Sequence, residues 1–290
     1  MGYRSILRDG CFAGEAHVVT GGGSGIGRCV AHELTSLGAH VVITGRKREK
    51  LDAVLAEIGE DGGSAEAHAF DVRDEDAVKA AIASIIAKNG RIHGLVNNAG
   101  GQFPAPMAAI SKKGFDAVVS NNLTGGFLVM REVFTQSMQG YGGAIVNMAA
   151  DMWRGMPGMS HSGAARAGMV NLTKTAAYEW AHAGVRVNAV APGWIASSGM
   201  DTYGGMTRTL IPNLKNHVPL GRIGVEAEVS SVICFLLSPA ASFVTGATIQ
   251  IDGGAPLGSA LFPIAPGTGT KPFDGFHRAV VPDVLGEVEG

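Results

Sequence analysis

The segment Thr20-Gly21-Gly22-Gly23-Ser24-Gly25-Ile26-Gly27 decides the fold of this chain. It follows the apolar stretch Ala16–Val19 and opens a stretch with helical apolar periodicity, Ile26–Leu37. That order predicts a strand, a glycine turn and a helix whose exposed backbone N–H groups face an anionic ligand. Glycines let the backbone turn sharply and approach a pyrophosphate closely. A single glycine pattern is weak evidence, so the rest of the chain has to support it.

Short β-rich runs alternate with helical patterns along most of the chain. The predicted strands are Ala16–Thr20, His40–Thr44, Ala65–Phe70, Gly94–Asn97, Ala144–Met148, Arg186–Val190 and Thr248–Ile251. The predicted helices that follow the first one are Glu49–Ile58, Glu75–Lys88, Phe115–Met138, Ala164–His182 and Glu226–Leu237. This alternation is typical of βαβ units. It predicts an α/β fold, a Rossmann-type doubly wound parallel sheet of about seven strands with helices on both faces and ligands at the carboxyl ends of the strands.

Two regions interrupt the alternation. Residues 195–224 form a long insert, which we expect to act as a substrate lid. Residues 255–290 form a Pro- and Gly-rich extension with weak periodicity, which is either disordered or packed on a neighbouring subunit. Because no charged or low-complexity linker divides the rest, residues 1–254 are predicted to form one domain that includes the lid.

The composition is that of a compact globular protein. The chain has 290 residues, 46% of them hydrophobic and 17% charged, and a net charge of -2, so nothing suggests nucleic acid or an anionic membrane as a partner. The three cysteines, Cys11, Cys29 and Cys234, are odd in number and widely spaced, which is typical of reduced intracellular thiols. We find no secretory signal in Met1–Gly10, no membrane-spanning run and no peroxisomal address at the C-terminus, and we expect a cytoplasmic protein without a metal site.

Four further motifs follow the glycine turn, three of them at the ends of predicted strands. They are Asn97-Asn98-Ala99-Gly100, Asn122-Leu123-Thr124-Gly125, Pro192-Gly193 and Ile251-Asp252-Gly253-Gly254. In this order, the five motifs resemble the classical short-chain dehydrogenase/reductase family from about Glu15 to Gly254. The resemblance implies an oxidoreductase that forms a homotetramer and binds a nicotinamide cofactor along the strand ends.

The resemblance also implies which positions contact the cofactor. They are Gly21, Ser24, Gly25, Ile26 and Gly27 at the pyrophosphate, Asp71 and Val72 at the adenine, Asn98, Ala99 and Gly100 at the ribose, Pro192, Gly193 and Ile195 at the nicotinamide, and also Arg166. For Asn98 a structural hydrogen bond at the strand end is equally expected, and both roles can hold at once.

The end of the second strand predicts which cofactor is used. Relatives specific for NAD carry a carboxylate where Gly45 stands, whereas here Arg46 and Lys47 follow directly. A guanidinium can bind a 2′-phosphate through two parallel hydrogen bonds, and a lysine adds positive charge. We therefore expect NADPH rather than NADH. The alternative is that both side chains belong to a solvated helix start.

The catalytic centre departs from the family pattern, which is a tyrosine followed four residues later by a lysine. Counting back from Pro192-Gly193 assigns the tyrosine position to Ser162 and the lysine position to Arg166, one helical turn apart. A register with His161 at the tyrosine position would need a shorter helix, so we reject it. The family's serine corresponds to Ala149, and only its asparagine remains, as Asn122.

These replacements favour one chemistry over another. Reduction of a ketone needs a proton on oxygen during the step, and neither a serine hydroxyl nor a guanidinium is a good acid at neutral pH. Reduction of an α,β-unsaturated thioester instead develops negative charge on the thioester oxygen as an enolate. Ser162, Arg166 and Asn122 suit that reaction, because they offer hydrogen-bond donors and positive charge.

The segment His161–Lys174 and the run Glu228–Gly246 also resemble peroxisomal trans-2-enoyl-CoA reductases and the related 2,4-dienoyl-CoA reductases. This resemblance implies an acyl-CoA thioester substrate and a role in fatty-acid metabolism. Mitochondrial-type members have a tyrosine at the position of Asp151, and peroxisomal-type members have an aspartate at the position of Asn122. Asp151 is our first candidate for the proton donor to C2, with Tyr203 of the lid or bound water as alternatives. Asp151 is equally expected to cap a turn or to pair with Arg154.

Two other functions stay open. One is carbonyl reduction or alcohol oxidation with an unusual acid, such as His161 or Tyr203. The other is a non-catalytic protein that binds NADPH and has lost the chemistry.

Overall fold

The computed structural model of the chain describes residues 8–257, 267 and 270–286. Seven strands form a parallel sheet in the order β3-β2-β1-β4-β5-β6-β9. These strands are β1 (Ala16–Thr20), β2 (His40–Gly45), β3 (Ser64–Ala69), β4 (Gly94–Asn97), β5 (Gly143–Met148), β6 (Val185–Pro192) and β9 (Thr248–Ile251). Two short strands, β7 (Ile195–Ala196) and β8 (Gly224–Val225), pair with each other apart from this sheet. The predicted Rossmann-type α/β fold is confirmed.

Helices cover both faces of the sheet. Their bounds are α1 (Gly25–Ser36), α2 (Arg48–Glu60), α3 (Glu75–Asn89), α4 (Lys112–Val119), α5 (Gly125–Val133), α6 (Gln139–Tyr141), α7 (Ser160–Trp180), α8 (Gly205–Leu210), α9 (Glu226–Leu237) and α10 (Asp283–Gly286). A π-helical turn, Ser120–Thr124, joins α4 to α5, and a second, Phe134–Met138, joins α5 to α6. Residues 112–141 are therefore one continuous helical segment, of which the sequence predicted the central part.

The pleat of the strands explains the two large hydrophobic cores. Neighbouring side chains of a strand point to opposite faces, so Val18 and Val19 of β1 enter different cores. Val19 lies in one core with Leu34 of α1, and Val18 lies in the other core with Ile82 of α3 and Val129 of α5. Because both faces are buried, the strand reads as a continuous apolar run.

The described part of the tail packs on the body of the same chain. Phe276 is 6% exposed and lies against Cys29 of α1 and Ala227 of α9. Arg278 binds Asp61 after α2 with an Nη2–Oδ1 distance of 2.7 Å. The sequence predicted that the tail is either disordered or packed on a neighbouring subunit, and neither prediction includes this packing on the same chain.

The predictions about the N-terminal segment Met1–Gly10 and about the C-terminus fall partly outside the described part of the chain, on residues 1–7 and 287–290. The thiols of Cys11, Cys29 and Cys234 are all free. Among the helices that the structure describes, none has the length and apolar character needed to cross a membrane.

Candidate active site

The glycine turn between β1 and α1 leaves open space above the sheet edge. Gly21 has a φ of +67°, and a Cβ there would lie 3.0 Å from the Cα of Ala99. A Cβ at Gly27 would overlap the carbonyl oxygen of Gly21. Only glycine fits both positions, and the N-terminus of α1 remains accessible at Ser24, which is exposed. The turn therefore fits a dinucleotide pyrophosphate.

The ends of β1 and β4 are tied together at the point where the sheet order reverses. Thr20 Oγ1 accepts hydrogen bonds from the backbone N–H groups of Asn98 and Ala99, both at 2.9 Å. The side-chain amide of Asn98 donates in return to the carbonyl oxygen of Thr20 at 2.9 Å. The expected structural hydrogen bond of Asn98 is present, and it fixes the edge of the crevice where such sheets bind dinucleotides.

The rim next to β2 and β3 carries the charges expected near an adenosine. Arg46 and Lys47 are exposed directly after β2. Asp71 accepts hydrogen bonds from the Arg73 guanidinium, among them one from Nε at 2.9 Å and one from Nη2 at 2.5 Å, and these lower the pKa of its carboxyl group. Val72 is buried beneath them, at 6% exposure.

A cavity of about 650 Å³ extends from the glycine turn to the lid. Of the site residues predicted from the sequence, eleven line this cavity: Gly21, Ser24, Ile26, Asn98, Ala99, Gly100, Asp151, Arg166, Pro192, Gly193 and Ile195. The others do not line it: Gly25, Gly27, Arg46, Lys47, Asp71, Val72, Asn122 and Ser162. Four methionines, Met148, Met156, Met159 and Met200, also line the cavity and give it an adaptable apolar wall.

Arg166 of α7 lines the cavity. Its side chain is buried, and Nη1 donates to the carbonyl oxygen of Met148 at 2.6 Å. Burial lowers the pKa of Arg166 to about 10, so the guanidinium stays charged at neutral pH. Its Nε is buried, and among the described residues nothing accepts a hydrogen bond from it. An unsatisfied buried donor in this position fits a bound oxygen-rich ligand.

Asn122 lies in the first π-helical turn, and its amide is fully engaged with backbone groups. The side-chain oxygen accepts from the Gly101 N–H at 3.0 Å, and the side-chain nitrogen donates to the carbonyl oxygens of Gly101 at 2.6 Å and Val118 at 2.8 Å. Asn122 therefore holds the loop after β4 against the helical segment. The sequence predicted that it contacts the substrate oxygen, and in this arrangement its donors point to the protein instead.

Ser162 is completely buried, and its hydroxyl donates to Gln102 Oε1 at 2.5 Å. Gln102 lies between Ser162 and the cavity, and its Nε2 donates to the hydroxyl of Tyr203 in the lid at 3.1 Å. Both Gln102 and Tyr203 line the cavity. The sequence predicted no role for Gln102. Its position just after the Asn97-Asn98-Ala99-Gly100 motif is the one feature of the sequence that points to the site. His161 is buried against the edge of Phe103 and does not line the cavity.

Asp151 follows β5 and lines the cavity. Its backbone N–H donates to the carbonyl oxygen of Pro192 at 3.0 Å, which fixes the start of the loop. Burial raises the pKa of the Asp151 carboxyl group, and the nearby Asp252 raises it further. A raised pKa favours the protonated form, which an acid near the substrate needs.

The predicted lid, residues 195–224, contributes to the cavity wall Ile195, Ser197, Gly199, Met200, Thr202 and Tyr203. It runs from β7 through a 3₁₀ turn at Met200–Thr202, helix α8 and a 3₁₀ helix at Ile211–His217 to β8.

The described residues hold no cluster of acidic, histidine or cysteine side chains that could bind a metal ion.

Comparison with known proteins agrees with this geometry. A family model described as enoyl-(acyl carrier protein) reductase, of the short-chain dehydrogenase type, matches residues 21–256. The chain belongs to the short-chain dehydrogenase/reductase family. It is therefore an oxidoreductase of a family that uses a nicotinamide dinucleotide.

Individual relatives point to more than one substrate. A probable 2,4-dienoyl-CoA reductase of Bacillus subtilis is 38% identical over 83% of this chain and 96% of the relative. The 3-oxoacyl-[acyl-carrier-protein] reductase FabG of Thermotoga maritima is 36% identical over 83% of this chain and 97% of the relative. A solved structure of the citronellol catabolism dehydrogenase AtuB from Pseudomonas aeruginosa is 62% identical, with a TM-score of 0.78, and covers 87% of this chain and 99% of AtuB.

Proposed function

We propose that this protein uses NADPH to reduce the 2,3 double bond of a 2-enoyl-CoA, or the conjugated diene of a 2,4-dienoyl-CoA, in fatty-acid metabolism. One observation carries the proposal. The helix that bears the family's tyrosine and lysine carries Ser162 and the buried, charged Arg166 instead. A fixed positive charge suits a developing enolate, and it cannot replace the acid that a ketone needs. The resemblance to 2,4-dienoyl-CoA reductases supports the same substrate class.

NADPH, when bound, supplies the hydride that adds to C3 of an enoyl-CoA or to C5 of a 2,4-dienoyl-CoA. The guanidinium of Arg166 then stabilises the charge that develops toward the thioester oxygen. Asp151, whose pKa is raised, lies in the cavity wall and supplies the proton to C2, directly or through water. The methionine wall accommodates the acyl chain.

The homotetramer and the cytoplasmic location that the sequence analysis expects remain predictions.

The deciding experiment measures NADPH consumption with trans-2-enoyl-CoA esters of several chain lengths, with a 2,4-dienoyl-CoA and with a panel of ketones and aldehydes. We expect turnover on the thioesters alone. Turnover on the carbonyl compounds alone would contradict the proposal. Tight NADPH binding without any turnover would favour the non-catalytic function.

The 62% identity to AtuB supports a second candidate, interconversion of an alcohol and a carbonyl on an acyclic terpenoid. This reaction needs an acid or base in the cavity, for which the hydroxyl of Tyr203 is available. Citronellol and its aldehyde therefore belong in the panel, each with the oxidised or reduced cofactor that its reaction consumes.

The choice of NADPH depends on the charge of Arg46. Replacing it with serine is expected to raise the Kd of NADPH about tenfold, which corresponds to about 1.4 kcal/mol, and to leave the Kd of NADH unchanged. Arg48→Ser is the matched control, because the Arg48 guanidinium already binds Asp52 at 2.8 Å. Equal weakening of both cofactors would contradict a role at the 2′-phosphate. Titration of the protein's fluorescence measures both constants.

A further inference from the structure

Two of the three groups expected at the substrate oxygen are occupied elsewhere. The amide of Asn122 binds the backbone of Gly101 and Val118, and the hydroxyl of Ser162 binds Gln102. We propose that Tyr203 and Gln102 take over this role and donate hydrogen bonds to the thioester carbonyl oxygen. This inference rests on the proposed function and names two donors at the same site.

Ser162 fixes the orientation of the Gln102 amide. Its hydroxyl donates to Oε1 at 2.5 Å, so the oxygen end of the amide faces α7. The nitrogen end then faces the lid, where it donates to Tyr203 at 3.1 Å. Because the buried hydroxyl reaches Gln102 rather than the cavity, Ser162 is a positioning residue.

The hydrogen bond from Gln102 leaves the Tyr203 proton available. The phenol oxygen accepts from Gln102 Nε2, and a hydroxyl can accept and donate at the same time. The second proton of the Gln102 amide is also available, since the amide group carries two. Tyr203, Gln102 and Arg166 all line the same cavity, so a substrate bound there has both donors and the guanidinium in its wall.

The lid holds Tyr203 in place from behind. Its ring packs against a cluster that contains Met200, Ile211 and Val284. Asp201, two residues earlier, accepts a hydrogen bond from the Val284 N–H at 3.0 Å. A donor that is fixed before the reaction needs no reorganisation when charge develops, which is the main requirement of an oxyanion-binding group.

The kinetic test compares Tyr203→Phe with wild type on an enoyl-CoA. Removal of one such donor lowers kcat by about 10²- to 10³-fold, and we expect the lower end of that range with little change in KM for NADPH. Tyr141→Phe is the control, because Tyr141 is exposed and does not line the cavity. Ser162→Ala is expected to lower kcat less, and the double variant with Gln102→Ala should be no slower than Gln102→Ala alone, because Ser162 acts only through the Gln102 amide.

A spectroscopic test does not depend on turnover. The carbonyl stretch of trans-2-decenoyl-CoA labelled with ¹³C at the thioester carbon is recorded in the complex with protein and NADP⁺. We expect a shift to lower frequency in wild type and in Tyr141→Phe, and a smaller shift in Tyr203→Phe.

The outcomes separate the two proposals. If the wild-type protein neither reduces nor binds any acyl-CoA, the proposed function and this inference both fail. If it reduces the thioester, and Tyr203→Phe matches it in kcat and in the carbonyl band, the inference alone is overturned. Additive effects of Ser162→Ala and Gln102→Ala would overturn the positioning role of Ser162.

Discussion

Arg166 is a buried charge in the wall of the cavity. Its environment offers one carbonyl oxygen, that of Met148, and a close approach to Gly100, where a Cβ would lie 2.7 Å from Nη2. A neutral side chain of similar length would fill the same volume without the charge. The functional contribution of Arg166 can therefore be separated from its packing.

We expect Arg166→Met to fold and to lose about two to three orders of magnitude in kcat on an enoyl-CoA, because the developing enolate loses its positive partner. Lys174→Met is the matched control, since Lys174 is an exposed cation on the same helix. Circular dichroism and thermal unfolding check the fold, and steady-state kinetics check turnover. Unchanged kcat in Arg166→Met would remove Arg166 from the mechanism.

The sequence predicted positions in the site better than it predicted contacts. The register that assigns Ser162 and Arg166 to one face of a helix depends only on spacing, and both lie on α7. The partner of Ser162 is Gln102, 60 residues earlier, and a single sequence carries no signal for such a pair. For the same reason, the engagement of Asn122 with the Gly101 backbone was not predicted.

At the scale of elements, three predicted strands, Ala16–Thr20, Gly94–Asn97 and Thr248–Ile251, match the observed bounds, and the others differ by two residues at most at either end. Buried parallel strands are short apolar runs between turn residues, so their bounds are clear in the sequence. The π-helical turns escaped prediction because one extra residue barely changes a helical apolar pattern. The packing of the tail was not predicted, because it depends on a few long-range contacts rather than on periodicity.

The tail helix α10 supports the lid through Val284, which is 1% exposed. We expect Val284→Asn to loosen the Met200 and Tyr203 cluster and to raise the KM for an acyl-CoA several-fold, because burying an amide there costs free energy. The Kd of NADPH should stay the same, since the glycine turn lies at the other end of the cavity. Val280→Asn is the control, because Val280 is in the same tail and is 64% exposed. Equal effects on substrate and cofactor would contradict a specific link to the lid.

At the scale of the whole molecule, one buried carboxyl group links stability to pH. Glu226 begins α9 and is 7% exposed. Burial raises its pKa to about 7, and the charge of Arg28 opposes this only in part. Burial raises the pKa of the neighbouring Cys29 thiol to about 12, and the charge on Glu226 contributes to that shift. The region between α1 and α9 thus holds an acid that is costly to ionise.

Between about pH 4.3, where an unfolded glutamate titrates, and about pH 7, the folded protein binds more protons than the unfolded chain at this position. The contribution of Glu226 to the free energy of unfolding therefore falls as pH rises through this window. We expect Glu226→Gln to be more stable than wild type by roughly 2 kcal/mol at pH 8, and the difference to shrink toward pH 5. Urea denaturation at both pH values measures this, with the exposed Glu49→Gln as control. A difference that does not vary with pH would contradict the assignment.

The tie between Thr20 and Asn98 also has a consequence for the order of folding. These residues are 78 positions apart, and their strands β1 and β4 are adjacent in the sheet although β2 and β3 intervene in the chain. Closing so long a loop costs entropy before the contact forms, and such non-local pairings slow folding. The crevice edge cannot form until β4 has been synthesised, three helical crossovers after β1. A chain emerging from the ribosome therefore gains the nucleotide crevice well after it gains its glycine turn.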